Sequence, residues 1–176
     1  MAILKRTLII GSGGYIGSRL SKEIQADGVD INWFKKGNKD IDFKDLTRDY
    51  YSQYDNIILL AGHSSVKMSE GNLNSCFNNN VRNFIDLLEK LDKQKLIYAS
   101  SSSVYGSVGG KTVNEKYFGF EPYNQYDISK HTADLYAQKS DVEYYALRFG
   151  TVNGYSPFLR SDVMINAMVN SALTNG

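Results

Sequence analysis

Four short apolar runs stand out along the chain: TLII at 7–10, INWF at 31–34, NIILL at 56–60 and KLIYA at 95–99. A fifth, YYALRF at 144–149, follows near the end. Runs that are apolar without alternation suit parallel strands covered on both faces. Between them the spacing changes. Ile16, Leu20 and Ile24 recur every fourth residue, while Val81, Phe84, Ile85 and Leu88 follow i, i+3, i+4, i+7, so each set lies on one face of a helix. This alternation of strands and helices predicts an α/β fold with a doubly wound parallel sheet. Past about residue 150 the alternation stops, and DVMINAMVNSALTNG reads as one further helix.

Composition narrows the function classes. The chain has 176 residues, 42% of them apolar and 22% charged, enough for one domain with a sizeable core. A net charge of +1 without long single-sign runs gives no reason to expect nucleic acid or an acidic membrane surface as partner. Cys76 is the sole cysteine and there are two histidines, so neither an internal disulfide framework nor a Cys/His metal cluster is expected. The start, MAILKRTLIIGSGG, resembles neither a signal peptide nor a membrane span, and we expect a soluble cytoplasmic protein.

The first predicted strand runs directly into GSGGYIG, with glycines at 11, 13, 14 and 17. A glycine-rich turn from strand to helix lets the backbone approach a pyrophosphate, whose charge then faces the free N–H groups at the helix start. Gly11 suits the tight turn, Gly14 the close approach and Gly17 close packing of helix on strand. Further on, YDISK puts Tyr126 and Lys130 one helical turn apart on the same side, following the serine run of YASSSSVYG. A phenol titrates near pH 10 and is a poor base at neutral pH; a nearby ammonium favours its phenolate.

Six pieces in order, GGYIG, AGHSSV, NNNVRN, YASSSSVYG, PYNQYDISK and LRFGTVNGYSP, make the sequence resemble the extended short-chain dehydrogenase/reductases, specifically their NAD-dependent epimerase/dehydratase (nucleotide-sugar epimerase) branch. The resemblance implies a Rossmann dinucleotide-binding domain over 1–150, with 151–176 starting a substrate lobe that is largely missing from this chain. It implies Tyr126 as acid/base and Lys130 as the residue that fixes the nicotinamide ribose and, with the oxidised ring, favours the phenolate. Ser101, three residues before the valine of VYG, would hold the reacting oxygen; Ser102 is the alternative. Asn80 would help position Lys130, or else cap a helix. His63 is a weaker candidate for the substrate side.

The same resemblance assigns Gly11, Gly13, Gly14, Tyr15, Ile16, Gly17, Ala61, Gly62, Lys130 and Phe149 to the cofactor, with Asp42 and Phe43 at its adenine. Ser101, Ser102, Tyr126, Thr151 and Arg160 fall to the substrate, Arg160 toward a diphosphate. Sugar dehydratases of the family carry carboxylates where this chain has Ser102 and Ser103, which points away from water elimination. NAD-specific members carry an acidic residue at the end of the second strand, where this chain has Lys35 and then Lys36. A lysine attracts a 2′-phosphate, so NADP is slightly favoured over NAD. The expected function is an NAD(P)-dependent oxidoreductase or epimerase of a nucleotide sugar, with a homodimer possible. The alternatives are an NADPH-dependent reductase of a non-sugar carbonyl and a non-catalytic dinucleotide-binding protein.

Overall fold

Leu8, Ile9 and Ile10 have no exposed surface at all, which requires cover on both faces of their strand. The computed structural model describes residues 6–31, 42–117 and 121–175. It builds the cover around a five-stranded sheet: β1 Thr7–Ile10, β2 Asp27–Val29, β3 Asn56–Leu59, β4 Lys95–Ser101 and β5 Tyr144–Phe149. Every neighbouring pair is parallel, in the order β2-β1-β3-β4-β5. Parallel neighbours demand crossovers, supplied by α1 Tyr15–Glu23, α2 Arg48–Tyr51, α3 Val66–Ser69, α4 Leu73–Phe77, α5 Asn83–Lys90 and α6 Gln125–Lys139; α7 Met164–Asn175 follows β5. The chain leaves β2 at one edge and re-enters at β3 on the far side of β1. That reversal opens a crevice beyond the carboxyl ends of β1 and β3, where ligands of such sheets bind.

The core on one face joins Leu8 and Ile10 of β1, Ile57 and Leu59 of β3 and Leu96 and Tyr98 of β4 to Phe84 and Leu87 of α5 and Ala133 and Ala137 of α6. Phe84 packs on Tyr98 with ring centroids 4.8 Å apart. β5 departs from the pattern: Tyr145 and Leu147 are exposed, so its outer face is uncovered. α7 buries nothing, and its Met164, Met168, Val169 and Leu173 face solvent.

Two expectations change. The second strand is described over Asp27–Val29, ahead of INWF; Ile31 is buried and lies outside that strand, and 32–34 lie outside the described residues. Backbone pairing of Leu8, Ile9 and Ile10 with Asp27, Gly28 and Val29 sets that register, which periodicity does not report. The helix carrying Ile16 and Leu20 buries Gly17 and Ser18 instead, because it lies too close to the first turn for larger side chains.

Candidate active site

The glycine turn is built by contact, residue by residue. Gly11 has φ +95°, and a Cβ there would come within 2.5 Å of the Ala61 amide nitrogen at the end of β3. A Cβ on Gly17 would overlap the Gly11 carbonyl oxygen. Gly14 N–H donates to that same oxygen at 3.1 Å, which fixes the turn before α1 begins. No side chain caps α1 and no acidic residue lies in its first turn, so its leading N–H groups, from Tyr15, Ile16 and Gly17, face the crevice uncompensated. Such a turn has room for a pyrophosphate only while Gly11 and Gly17 carry no side chain, because a Cβ at either would collide with backbone.

One residue of this half is absent from the sequence expectations. Asp30, directly after β2, is 5% exposed and accepts from Gly13 N–H at 2.8 Å and from Ile31 N–H at 2.9 Å. Burial pushes its carboxyl up, while the two N–H donors hold it down. The signal that could have found it was strand placement: with β2 ending at Val29, Asp30 becomes the acidic residue at the strand end. Lys35 and Lys36 lie outside the described residues. Asp42 sits beside Asp30, joined by an isolated bridge, and caps the 3₁₀ turn Phe43–Asp45 by accepting from Lys44 N–H at 3.1 Å. The Phe43 ring is buried in the core and its N–H donates to the Asp30 carbonyl at 3.2 Å, so it presents no free group to a base.

The chemistry gathers at the carboxyl ends of β4 and β5. Ser101 ends β4 level with Phe149 of β5 and caps the turn Ser102–Tyr105; its Oγ lies 2.9 Å from Ser103 Oγ. Ser101 is buried whereas Ser102 is exposed, which favours Ser101 of the two candidates. Tyr126, in the first turn of α6, is half-buried. Burial raises its phenol, the Ser101 hydroxyl beside it lowers it, Asp127 raises it and Arg160 lowers it. Serine and phenol therefore converge on one spot.

Lys130 lies one turn further along α6, with Nζ 5.8 Å from the Tyr126 ring centre, and donates to the Ala99 carbonyl at 2.9 Å. Burial pulls its ammonium down to about 8, against an upward pull from Asp134. Lys130 stands over the ring, and within the protein the groups that lower the Tyr126 phenol are Ser101 and Arg160.

Asn80 is not a helix cap. It lies inside a π-helical turn, Asn78–Arg82, while Asn72 caps α4. The extra residue of that turn aims Asn80 inward. Its Oδ1 accepts from His63 N–H at 2.8 Å, and its Nδ2 donates to the His63 carbonyl at 3.1 Å and to Ser129 Oγ at 3.0 Å. It thus ties the end of β3 to the residue beside Lys130. A cavity of about 20 Å³ is lined by both Asn80 and Lys130. Gly62, at φ +137°, is required here because a Cβ would approach Asn80 Oδ1 to 2.6 Å. The His63 ring is buried and its Nε2 lies 3.1 Å from Ser75 Oγ, so it packs against α4 rather than lining the crevice; burial lowers its pKa.

The loop after β5 closes over both halves. Tyr15 Oη donates to the Gly154 carbonyl at 2.6 Å, Ser156 Oγ donates to the Tyr15 carbonyl at 2.6 Å, and Ser18 and Ser156 hydroxyls meet at 3.0 Å. Asn166 of α7 donates to Tyr15 Oη at 3.1 Å. Arg160 pairs with Asp162 through two bonds of 3.0 and 2.6 Å and donates to Ser64 Oγ at 2.7 Å, close enough to Tyr126 for each to shift the other. Thr151 is exposed. Among the described residues no group of three or more His, Cys, Asp or Glu could hold a metal, and no helix is long and apolar enough to cross a membrane.

A parallel sheet reversing at a glycine turn, with serine, tyrosine and lysine at its carboxyl edge, defines a Rossmann-type α/β fold. The sequence matches the NAD dependent epimerase/dehydratase family across residues 7–176, and the chain belongs to it. It is 28% identical to Protein CapI of Staphylococcus aureus over 91% of this chain and 57% of that protein. It is 28% identical to a UDP-glucose 4-epimerase of Lacticaseibacillus casei over 85% of this chain and 52% of that one. Among solved structures, MoeE5 in complex with UDP-glucose and NAD superposes with a TM-score of 0.78 at 26% identity, over 94% of this chain and 60% of MoeE5. The chain thus spans a little over half the length of these relatives.

Proposed function

We propose that this chain carries the cofactor-binding and proton-transfer part of an enzyme that epimerises or oxidises a nucleotide sugar. The observation that carries this reading is the convergence of Ser101 and Tyr126 at the carboxyl end of β4, with Lys130 one turn behind. Bound over the glycine turn, a nicotinamide dinucleotide supplies the acceptor and donor of hydride. Tyr126 takes the proton of the sugar hydroxyl as its carbon gives up hydride, and returns it when hydride comes back. Ser101 holds the oxygen between them. Lys130, anchored on Ala99, holds the ribose side. Ser102 and Ser103 offer no carboxylate for removing water, which supports epimerase or reductase chemistry over dehydration.

NAD is the cofactor we favour. Asp30 at the end of β2 stands where ribose hydroxyls would be read, and the similar MoeE5 was solved with NAD. This replaces the NADP preference drawn from Lys35 and Lys36. The relatives' UDP-sugars indicate the substrate class, with Arg160, near Tyr126, on the substrate side toward a diphosphate. A homodimer belongs to the same reading, supported by exposed Leu73 and Phe77 on α4 and Ile128 and Tyr136 on α6. Mass spectrometry of the purified protein, followed by assay of UDP-sugars on the chain joined to the remainder of a relative, tests the proposal. Retained NAD and sugar turnover are expected. A protein that binds the dinucleotide yet turns over no nucleotide sugar would overturn it in favour of the binding-protein reading.

A further inference from the structure

Beneath the proton-transfer pair lies a buried set of polar groups that the proposed chemistry does not use. On α6, Tyr126, Lys130 and Asp134 follow one another at four-residue intervals, each about 6 Å further along the helix axis. Asp134 is 3% exposed. Its Oδ1 accepts from Tyr98 Oη of β4 at 2.8 Å, and its Oδ2 accepts from Arg148 Nε of β5 at 3.1 Å. Arg148 in turn donates to the Glu115 carbonyl at 3.3 Å and stacks on the Tyr105 ring at 4.9 Å. Tyr105 belongs to the same turn that Ser101 caps.

A buried carboxylate is held in place only where partners satisfy it. Here the partners come from two strands, so the carboxylate's position relative to Lys130 is fixed by the sheet and not by the helix alone. The charged or titratable groups that act on Lys130 are few: Tyr126 and Asp134 on its own helix, Cys76 on α4 and His63 after β3. Among them Asp134 is the carboxylate, and the only hydrogen bond formed by the Lys130 ammonium among the described residues is to the neutral Ala99 carbonyl.

We infer that Asp134 is a positioning residue: held by Tyr98 and Arg148, it is the counter-ion that keeps Lys130 a cation behind Tyr126. Through Arg148 and Tyr105 the same set of bonds braces the turn that carries Ser101, so the lysine's charge and the serine's place are set by one buried network. The inference rests on the reading of Tyr126 and Lys130 as the proton-transfer pair.

The test follows Lys130 directly, by ¹³C-detected NMR titration of lysine side chains, with Lys130→Met to assign the signal. In the wild type the ammonium titrates near its lowered value of about 8. Asp134→Asn keeps the shape and two hydrogen-bonding atoms but removes the charge, and should reduce the charged-to-neutral ratio of Lys130 at pH 8 by about tenfold. Asp134→Glu should restore most of it. Arg148→Met should move the titration the other way, because the carboxylate then has Lys130 as its nearest cation; this arm stands even if Asp134→Asn fails to fold. A Lys130 titration unmoved in folded Asp134→Asn, or unmoved in Arg148→Met, overturns the inference. Because the readout needs neither sugar nor cofactor, its failure is distinguishable from failure of the proposed activity, which is read by turnover alone.

Discussion

The two ends of the crevice are made differently. At the end proposed for nicotinamide, the polar groups are braced by several elements at once: Asn80 by β3 and α6, Lys130 by Ala99, Asp134 by β4 and β5. At the end proposed for adenosine, the candidates are Asp30 and Asp42, adjacent carboxylates on short segments around a strand of three residues. The first end is suited to chemistry, which tolerates little misplacement. The second is suited to choice between ligands, which a single nearby charge can change. The contrast predicts that substitutions at one end cost rate and at the other cost selectivity.

The largest expected effect tests the first half of that contrast. Tyr126→Phe removes one hydroxyl and should lower turnover of a nucleotide sugar by about 10²–10⁴ while leaving cofactor content unchanged. If turnover and cofactor are lost together, the two ends are not separable and the comparison breaks.

Next comes Lys130, whose depressed pKa ties the site to stability. Below about pH 8 both folded and unfolded chains carry its proton, and the folded one bears the full cost of a buried cation. Between about 8 and the ordinary value of 10.5 the unfolded chain holds a proton that the folded one has shed, so stability rises with pH. Lys130→Met should erase that rise, roughly 2–3 kcal/mol by linkage, as read by denaturant unfolding at pH 7 and pH 10. Parallel pH profiles for the two proteins would contradict it.

A smaller effect concerns the cradle. Gly17→Ala forces a Cβ onto the Gly11 carbonyl and should cost about 1–3 kcal/mol with loss of dinucleotide binding. Gly14→Ala, whose Cβ would stop 3.3 Å from the same oxygen, should be milder. Equal losses in calorimetric titrations would mean that the turn reads its ligand by flexibility rather than by fit.

The smallest and most selective change is Asp30→Asn. It should shift the NAD-to-NADP affinity ratio by about tenfold toward NADP, close to 1.4 kcal/mol, without altering turnover at saturation. An unchanged ratio would move the ribose reading to the segment holding Lys35 and Lys36.

The same contrast explains what the sequence disclosed. Tyr126 and Lys130 were legible because a helix turns a four-residue spacing into adjacency, and Gly11 and Gly17 because a strand-to-helix turn admits few side chains. The strands at 7–10, 56–60, 95–99 and 144–149 were legible from unbroken apolar runs. Asp30 was not, since INWF is the more apolar run and only pairing with β1 selects DGV. Nor was Asn80's inward aim, which depends on one extra residue in a helical turn, or Asp134's setting, which joins residues 98, 134 and 148 through tertiary contact alone.

The bonds that tie Tyr15 and Ser18 to Gly154 and Ser156 span 138 to 141 residues of chain. In biosynthesis this is a delay. At about 5–20 residues per second, the loop that clasps α1 is made roughly 7–30 s after the glycine turn. Through that interval the cradle has its glycines but not its clasp, and a dinucleotide arriving early meets an unfastened helix. A cradle fastened in this way is complete only once residues 154–156 have been made, long after the turn they hold.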